Sequence, residues 1–316
     1  MQIIQDKVAI AVFENIHQYP IERLDYAAIG QAFKTTGLVL LRDWNFDTLS
    51  FQLFTQHFCQ QFHAVGIRHN LKNTQGDGYS TEVFRDNFFI LGHSEGSYKP
   101  QSVFPVNITC PPHACFFMCL IAPSTLGGET TLIDGCDFLK LLSKPLRTRF
   151  QNEGIIYRMV WDAQRWQNEF HLQDLESLQQ LLVKTPNIQY SFQGDTLELF
   201  CHINAITPTL YCGDAFATAL LAHLSHITHP NYQDKMVYSK TVNRVFFGNG
   251  EEISDTIINE LIDIHDALQY KHCWQANDVL FIDNTRYLHG RTMTAEPCPR
   301  TLLSRFGWLN PNNTTL

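Results

Sequence analysis

His93 and Glu95, separated by one residue, are the first pair in this sequence that could bind a metal ion. On an extended strand, side chains two positions apart point to the same face, so an imidazole and a carboxylate can approach one cation. With 14 His and 31 acidic residues in 316, about one such pair is expected by chance. Without further ligands, a surface strand pair that binds no metal is the alternative interpretation.

A second polar segment, Asp283–Arg291, follows a short apolar run and contains His289. A ligand from this segment would complete a set of two histidines and one carboxylate, which suits ferrous iron and leaves positions for oxygen and a co-substrate. Arg300 lies at the start of an apolar segment, and Thr130 follows the turn Gly127–Glu129. An inward-facing guanidinium needs an anion, and a bound carboxylate with a nearby hydroxyl donor would supply one. A structural ion pair of Arg300 with an acidic residue is the alternative.

Three further histidines, His223, His226 and His229, form a rival metal candidate at the end of a predicted helix. Steps of three residues drift around a helix by about 60° over the set, so all three cannot bind one ion on a regular helix. We interpret them as polar or cationic groups at a helix C-terminus. The nine cysteines contain no CxxC pair and indicate reduced, mostly buried thiols, including Cys110, Cys115 and Cys119.

The elements that must position these residues are mainly strands. Apolar runs predict strands at 37–42, 88–91, 115–121, 130–133, 245–247, 279–282 and 301–303. Helical spacing predicts helices at 45–62, 215–227 and 253–268, helix-rich structure at 137–182, and a hairpin of 188–192 with 196–201. Strands at both ends of the chain with helices between them fit a mainly β fold, a sandwich whose two halves meet in space.

Composition narrows the class of protein. The chain is 44% hydrophobic and 17% charged, with no linker or repeat, which predicts one domain over 1–316 with a helix-rich insertion at about 137–275. A net charge of −8 without a basic run argues against a nucleic-acid partner. The longest apolar run, Ala114–Ala122, is too short to cross a membrane. The N-terminus lacks a secretory pattern, so we expect a cytoplasmic protein.

The motifs resemble, in order and spacing, the taurine dioxygenase and clavaminate synthase-like group of Fe(II)/2-oxoglutarate-dependent oxygenases, over nearly the whole chain. The resemblance is carried by HisSerGluGlySerTyr at 93–98, GlyGlyGluThr at 127–130, AspAsn at 283–284, HisGlyArg at 289–291 and Arg300. It implies a double-stranded β-helix, a jelly roll, in which the helical insertion forms part of the substrate cover. It also implies a dioxygenase that uses Fe(II), 2-oxoglutarate and O2.

The resemblance also implies a role for each matching residue. His93, Glu95 and His289 would bind iron, while Thr130 and Arg300 would hold the distal carboxylate of 2-oxoglutarate. Arg305 lies where the family often has a further basic residue near the co-substrate, although its offset from Arg300 is one residue longer than the family pattern.

Two departures from the family pattern bear on the reaction. The carboxylate is Glu95 rather than the commoner Asp, which is the clavaminate synthase-like choice. Halogenases of this superfamily have Gly or Ala there to admit chloride, so Glu95 favours hydroxylation, desaturation or cyclisation. The interval from His93 to Thr130 is also about ten residues longer than in the taurine enzyme, and we expect the extra segment at 101–110 to reshape the substrate entrance.

The resemblance suggests a small amino-acid-like or specialised-metabolite substrate, free or tethered to a carrier protein. Two alternatives remain at this stage. One is a catalytically silent jelly-roll binding protein. The other is a zinc hydrolase that uses the same two histidines and glutamate, which is disfavoured because HExxH is absent and Arg300 would have no purpose.

Overall fold

Strands dominate the structure, a computed structural model that describes residues 1–62, 71–73, 81–84, 89–96, 111–170, 172–185, 187–224, 227–232, 244–295 and 298–316. The strands are β1 (Gln2–Gln5), β2 (Ala9–Glu14), β3 (Leu38–Arg42), β4 (Cys59–Phe62), β5 (Leu71–Asn73), β6 (Thr81–Phe84), β7 (Ile90–His93), β8 (Ala114–Ile121), β9 (Thr130–Asp134), β10 (Ile155–Trp161), β11 (Ile188–Gln193), β12 (Thr196–Ile203), β13 (Ile206–Pro208), β14 (Asp214–Phe216), β15 (Arg244–Phe247), β16 (Tyr270–His272), β17 (Val279–Asp283), β18 (Tyr287–Arg291) and β19 (Thr301–Leu309). The helices are α1 (Tyr26–Thr36), α2 (Thr48–Phe58), α3 (Gly135–Leu141), α4 (Lys144–Glu153), α5 (Ala163–Phe170), α6 (Leu175–Val183) and α7 (Asp255–Leu268).

Two sheets form the core. The main sheet has the order β1-β2-β3-β17-β8-β19-β6-β5, with β4 also paired to β19. The small sheet has the order β16-β9-β18-β7. Apolar side chains of β2, β3, β8, β17 and β19 pack in one buried cluster with Leu132 of β9 and Tyr287 of β18. The two sheets are therefore stacked face to face, and the core is the predicted jelly roll.

The outer faces of both sheets are also covered. Along β17, Leu280 and Ile282 face the small sheet, whereas Val279 and Phe281 pack in a second cluster with the apolar side chains of α1 and α2. Strands buried on both faces read as continuous apolar runs, which explains the unbroken VLFI sequence. The other face of the small sheet, including Leu288, packs against the segment that follows β9.

The segment at 137–275 contains more strand than its sequence predicts. Strands β10, β11, β12 and β15 form a separate four-stranded sheet there. Strand β10 alternates buried and less buried residues along IIYRMVW. This period of two is typical of a strand, although the surrounding sequence predicts helix-rich structure. The predicted hairpin is confirmed as β11 and β12, which turn at Gly194 with a positive φ of 59°.

Two helix predictions need correction. The helix predicted at 215–227 is wrong, because β14 and a short 3-10 turn at Leu221–His223 occupy that region. Its apolar residues are buried in the large cluster beneath the small sheet, so tertiary packing overrides their helical propensity. The helix predicted at 45–62 is shorter, since Cys59–Phe62 instead pairs with β19.

The remaining predicted elements agree with the structure, including α7 and the strands β3, β8, β9, β17 and β19. The predicted strand at 88–91 appears as β7, although Phe88 lies outside the described residues. The predicted extra segment at 101–110 also lies outside them. No helix in the described ranges combines the length and the apolarity that a membrane span requires.

Candidate metal centre

His289 occupies the middle of β18, which is hydrogen-bonded to a neighbouring strand on each side. It lies opposite Leu132 on β9 and opposite His93 on β7. Its side chain is buried, with the ring of Phe117 5.3 Å away. Burial, followed by the charge of His93, lowers the pKa of His289 to about 3. The imidazole is therefore neutral at physiological pH, the form in which histidine binds metals.

The structure brings His93 and Glu95 to the same place. The Nε2 atom of His93 lies 3.9 Å from Oε2 of Glu95, and the rings of His93 and His289 lie 4.4 Å apart between centroids. One ligand atom from each of the three residues lies within 4.8 Å of the other two. Two imidazoles and one carboxylate on one side of a buried space are the donor set that ferrous iron takes.

The convergence of His93 and Glu95 depends on more than strand periodicity. Strand β7 ends at His93, so Glu95 lies in the turn that follows it. Asn284 holds this turn from across the site. Its Oδ1 accepts the backbone N–H of Glu95 at 2.8 Å, and its Nδ2 donates to the Glu95 carbonyl at 3.0 Å. The amide thus pairs with Glu95 as a neighbouring strand would.

Asn284 also organises the residues around that pair. Its Nδ2 donates a second bond to the carbonyl of Pro112 at 2.7 Å, and its own carbonyl accepts from the hydroxyl of Ser94 at 2.9 Å. The backbone N–H of Ser94 donates to the carbonyl of Thr218. Asn284 belongs to the AspAsn motif at 283–284, for which the family resemblance implies no role. The signal that could have found it is an amide directly after a buried strand.

The turn that carries Asn284 is fixed by charged groups on both sides. Asp283 accepts from the backbone N–H of Thr285 at 2.9 Å and from its hydroxyl at 2.5 Å. Burial raises the pKa of Asp283 to about 6. Arg286 donates two hydrogen bonds to Asp134 at the end of β9. These bonds hold the turn between β17 and β18, which positions Asn284 and His289.

Thr130 and Arg300 also meet, on a second side of the site. Thr130 begins β9 and Arg300 directly precedes β19. Nη2 of Arg300 donates to Oγ1 of Thr130 at 3.0 Å, and the indole N–H of Trp274 donates to the same oxygen at 3.1 Å. Because the hydroxyl oxygen accepts these two bonds, its own proton is available to a third group.

Arg300 is almost completely buried and forms no ion pair with a carboxylate in the described ranges. Its Nε atom has no hydrogen-bond partner there. Glu129, whose charge acts on it, is hydrogen-bonded to Thr292. Burial, followed by the charge of Arg291, lowers the pKa of Arg300 to about 9. A buried cation of this kind favours binding of an external anion over the structural ion pair considered as the alternative.

The described contacts of Arg305 are with two aromatic residues of the main sheet. It lies opposite Phe116 in the main sheet, and its guanidinium is 4.1 Å from the ring centroid of Phe62. Both of these aromatic residues belong to the cluster that faces α1 and α2. The proposed contact of Arg305 with the co-substrate stays a prediction.

The rival histidine cluster is not assembled as a metal site by the described residues. The ring of His223 lies against Tyr157, and Nε2 of His229 lies 3.1 Å from Oδ1 of Asp263. His226 lies outside the described residues. Within the described ranges, His93, Glu95 and His289 form the one group of three potential ligands close enough to share an ion.

The sequence of this chain is similar to those of known dioxygenases and of one biosynthetic protein. A model of the taurine catabolism dioxygenase TauD, TfdA family matches residues 13–306. The dapdiamide synthesis protein DdaC of Enterobacter agglomerans is 24% identical over 229 residues, which cover 70% of this chain and 66% of DdaC. The chain thus spans slightly less than two thirds of the length of that relative.

Solved structures show the same fold at low sequence identity. PvcB of Pseudomonas aeruginosa aligns with a TM-score of 0.53 and 15% identity, covering 95% of this chain and 90% of PvcB. A taurine dioxygenase of Burkholderia xenovorans aligns with a TM-score of 0.52 and 14% identity, covering 98% of this chain and 89% of that protein. Both likenesses bear on the fold alone.

Proposed function

This chain belongs to the taurine catabolism dioxygenase TauD, TfdA family, and we propose that it uses Fe(II), 2-oxoglutarate and O2 to oxidise a C–H bond of a small molecule. The observation that carries the proposal is that two features occur together in the same β-sandwich. The first is the group of His93, Glu95 and His289, and the second is the buried Arg300 without a described carboxylate partner.

Each residue of the first feature has a defined role in holding the metal. His289 supplies a neutral imidazole, because burial keeps its pKa low. Glu95 supplies the anionic ligand, and Asn284 holds the backbone on both sides of that residue. Bound iron would let O2, the oxidant, take two electrons from the oxidative decarboxylation of 2-oxoglutarate and two from the substrate. The protein supplies the orientation of the three ligands.

The second feature binds the distal carboxylate of 2-oxoglutarate. Arg300 provides the positive charge, and Thr130 provides a hydroxyl proton that Arg300 and Trp274 leave free to point at an anion. A charge-assisted bond in a buried site is stronger than a neutral one. These two residues therefore orient the co-substrate from the end remote from the metal.

The substrate is a small amino-acid-like or specialised metabolite, either free or tethered to a carrier protein. Two relatives support this class: DdaC is a dapdiamide synthesis protein, and PvcB is an Fe, α-ketoglutarate-dependent oxygenase from an isonitrile synthetic pathway. Glu95 occupies the position at which halogenases of the superfamily have a small residue, so hydroxylation, desaturation or cyclisation is the expected outcome. A cytoplasmic location agrees with the free thiols of all eight described cysteines.

The test is a turnover assay with the full chain. Purified protein with Fe(II) and oxygen should convert 2-oxoglutarate to succinate and CO2, and a panel of free and carrier-tethered amino acids should accelerate this conversion. A His289→Ala variant should show neither activity. Absence of turnover with every candidate, in a folded and iron-loaded sample, would favour the silent binding protein. Hydrolytic activity with zinc and without oxygen would favour the hydrolase.

A further inference from the structure

Strand β7 contains one residue more than its partner β18 beside the histidines. His93 lies opposite His289, but Ile90 lies opposite Arg291, so three steps along β7 match two along β18. The extra residue makes a β-bulge at Leu91–Gly92. A bulge leaves a backbone group outside the ladder and changes the direction of the neighbouring side chains. The direction of His93 therefore depends on how this bulge is held.

A histidine from the insertion holds the bulge. The backbone N–H of Gly92 donates to Nε2 of His265 at 3.0 Å, and His265 is a buried residue of α7. Gly92 packs closely against its neighbours, since a Cβ at this position would lie 2.7 Å from the Ile133 side chain and 3.3 Å from the His265 ring. A side chain at position 92 would therefore press on Ile133 and on the ring of His265.

The hydrogen bonds of His265 define its tautomer. Because Nε2 accepts from Gly92, the ring proton is on Nδ1, where Oδ1 of Asp266 lies at 2.9 Å. Asp266 also accepts from the hydroxyl of Tyr232 at 2.7 Å and from the amide of Asn231 at 2.9 Å. Burial opposes ionisation of Asp266, but the bonds from His265, Tyr232 and Asn231 lower its pKa to about 2. The carboxylate thus stays charged and holds the imidazole in orientation.

We propose that His265, oriented by Asp266, is a positioning residue that fixes the bulge at Gly92 and thereby directs His93 toward the metal. The proposal rests on the proposed function for the identity of the metal, but its geometry does not. Helix α7 belongs to the segment interpreted as a substrate cover, so this segment also builds the metal site. Outer partners of metal ligands typically change metal affinity by about 10–100-fold.

Three variants of the full chain separate positioning from general stability. His265→Leu removes the acceptor and keeps an apolar side chain in the buried space. His265→Gln restores an acceptor for the Gly92 N–H. His229→Leu is the matched control, because His229 is also a buried histidine paired with an aspartate of α7, Asp263. It contacts Asn231 and Tyr232, whereas only His265 is described as bonding the Gly92 N–H.

The first readout needs no metal. Hydrogen exchange of the metal-free protein, followed by mass spectrometry of a peptide that covers 89–96, reports whether the Gly92 N–H is bonded. We expect faster exchange in His265→Leu, and exchange like that of the unaltered protein in His265→Gln and His229→Leu. Unchanged exchange in a folded His265→Leu protein would overturn the proposal. Equal acceleration in His265→Leu and His229→Leu would also overturn it, since that pattern reports general destabilisation.

The second readout is anaerobic Fe(II) titration of the same variants. We expect the Kd to rise about 10-fold or more in His265→Leu and less than about 3-fold in the other two. Equal affinities in all three variants would overturn the link between the bulge and the metal. If the unaltered protein binds no Fe(II), the proposed function fails, while the exchange experiment still decides the role of His265.

Discussion

The two halves of the candidate site are held in different ways. His289 and Thr130 lie within β18 and β9, each of which is hydrogen-bonded to a strand on both sides. His93 and Glu95 lie at the end of β7, the edge strand of the same sheet, and in the turn after it. We call His289 and Thr130 the strand-held half of the site. We call His93 and Glu95 the side-chain-held half, because the side chains of Asn284 and His265 bind the backbone of this region.

This difference teaches where the site is vulnerable. In the strand-held half, many backbone hydrogen bonds set the position of each residue, so the loss of one neighbouring side chain leaves the rest in place. In the side-chain-held half, one amide and one imidazole replace a neighbouring strand. Removing either leaves buried backbone groups without partners, which costs about 1–3 kcal/mol each. Supporting residues should therefore matter more for His93 and Glu95 than for His289 and Thr130.

The largest effect should come from removing a proposed metal ligand of the side-chain-held half. We expect Glu95→Ala to abolish substrate oxidation and to weaken Fe(II) binding by more than the roughly 100-fold that an outer partner can cost. Anaerobic Fe(II) titration and a succinate assay measure both quantities. Normal turnover in this variant would remove the iron assignment from both halves.

Arg300→Ala removes the cationic partner of Thr130 in the strand-held half and leaves the three proposed metal ligands in place. Loss of a buried charge-assisted bond costs roughly 1.5–3 kcal/mol, so the 2-oxoglutarate concentration for half-maximal activity should rise about 10–100-fold. Fe(II) affinity should stay unchanged. Arg300→Lys keeps the charge, so its 2-oxoglutarate requirement should lie between that of the unaltered protein and that of Arg300→Ala. An unchanged 2-oxoglutarate requirement would place the co-substrate elsewhere.

Asn284→Ala tests the support of the side-chain-held half directly. The variant loses the bonds to the N–H and the carbonyl of Glu95, and Fe(II) affinity should fall by about 10-fold or more. Asn15→Ala is the matched control, because Asn15 makes the same pair of bonds to the backbone of Tyr19. If both variants bind Fe(II) like the unaltered protein, side chains do not hold this half.

Trp274→Phe tests the support of the strand-held half and should have the smallest effect. The change removes one indole bond to Thr130, worth about 0.5–1.5 kcal/mol, while β16 and β18 still hold β9 on both sides. We expect the KM for 2-oxoglutarate to rise no more than about 10-fold, with Fe(II) affinity unchanged. Trp166→Phe, which also loses one indole bond, to Asp195, is the control. If the KM for 2-oxoglutarate rose in Trp274→Phe by a larger factor than the Fe(II) affinity fell in Asn284→Ala, the strand-held half would depend more on its supporting side chain than the side-chain-held half does.

The sequence predicts the residues that could do chemistry better than it predicts the residues that hold them in place, Asn284 and His265. His93, Glu95, His289, Thr130 and Arg300 could be selected because residue type, order and spacing limit what they can do together. The structure brings the first three together and separately joins the last two, although their assigned roles stay predictions.

The supports could not be predicted, because they act over long separations in the chain. Asn284 contacts Glu95 across 189 positions, and His265 contacts Gly92 across 173. An asparagine in a turn or a histidine in a helix has many other uses, so its type alone does not indicate a partner. The strand that contains His93 is short and bulged, so its sequence does not show how its backbone is completed.

The fold shows the same division. Strands buried on both faces, such as Val279–Asp283, were predicted because their apolar runs have one physical explanation. The sequence predicts a helix at 215–227, but burial within the large cluster determines the structure of that segment. The local sequence pattern predicts the secondary structure of a strand within a buried sheet. It does not predict the structure of a segment that packs against several elements at once.

The most direct test of the account is an anaerobic titration of the metal-free protein with Fe(II) and then 2-oxoglutarate, followed by visible absorption. We predict the weak charge-transfer band of an iron-chelated 2-oxo acid in the unaltered protein and its loss in His93→Ala. Absence of the band in a folded, iron-loaded sample, or its persistence in His93→Ala, would contradict the assignment of iron and 2-oxoglutarate to this site.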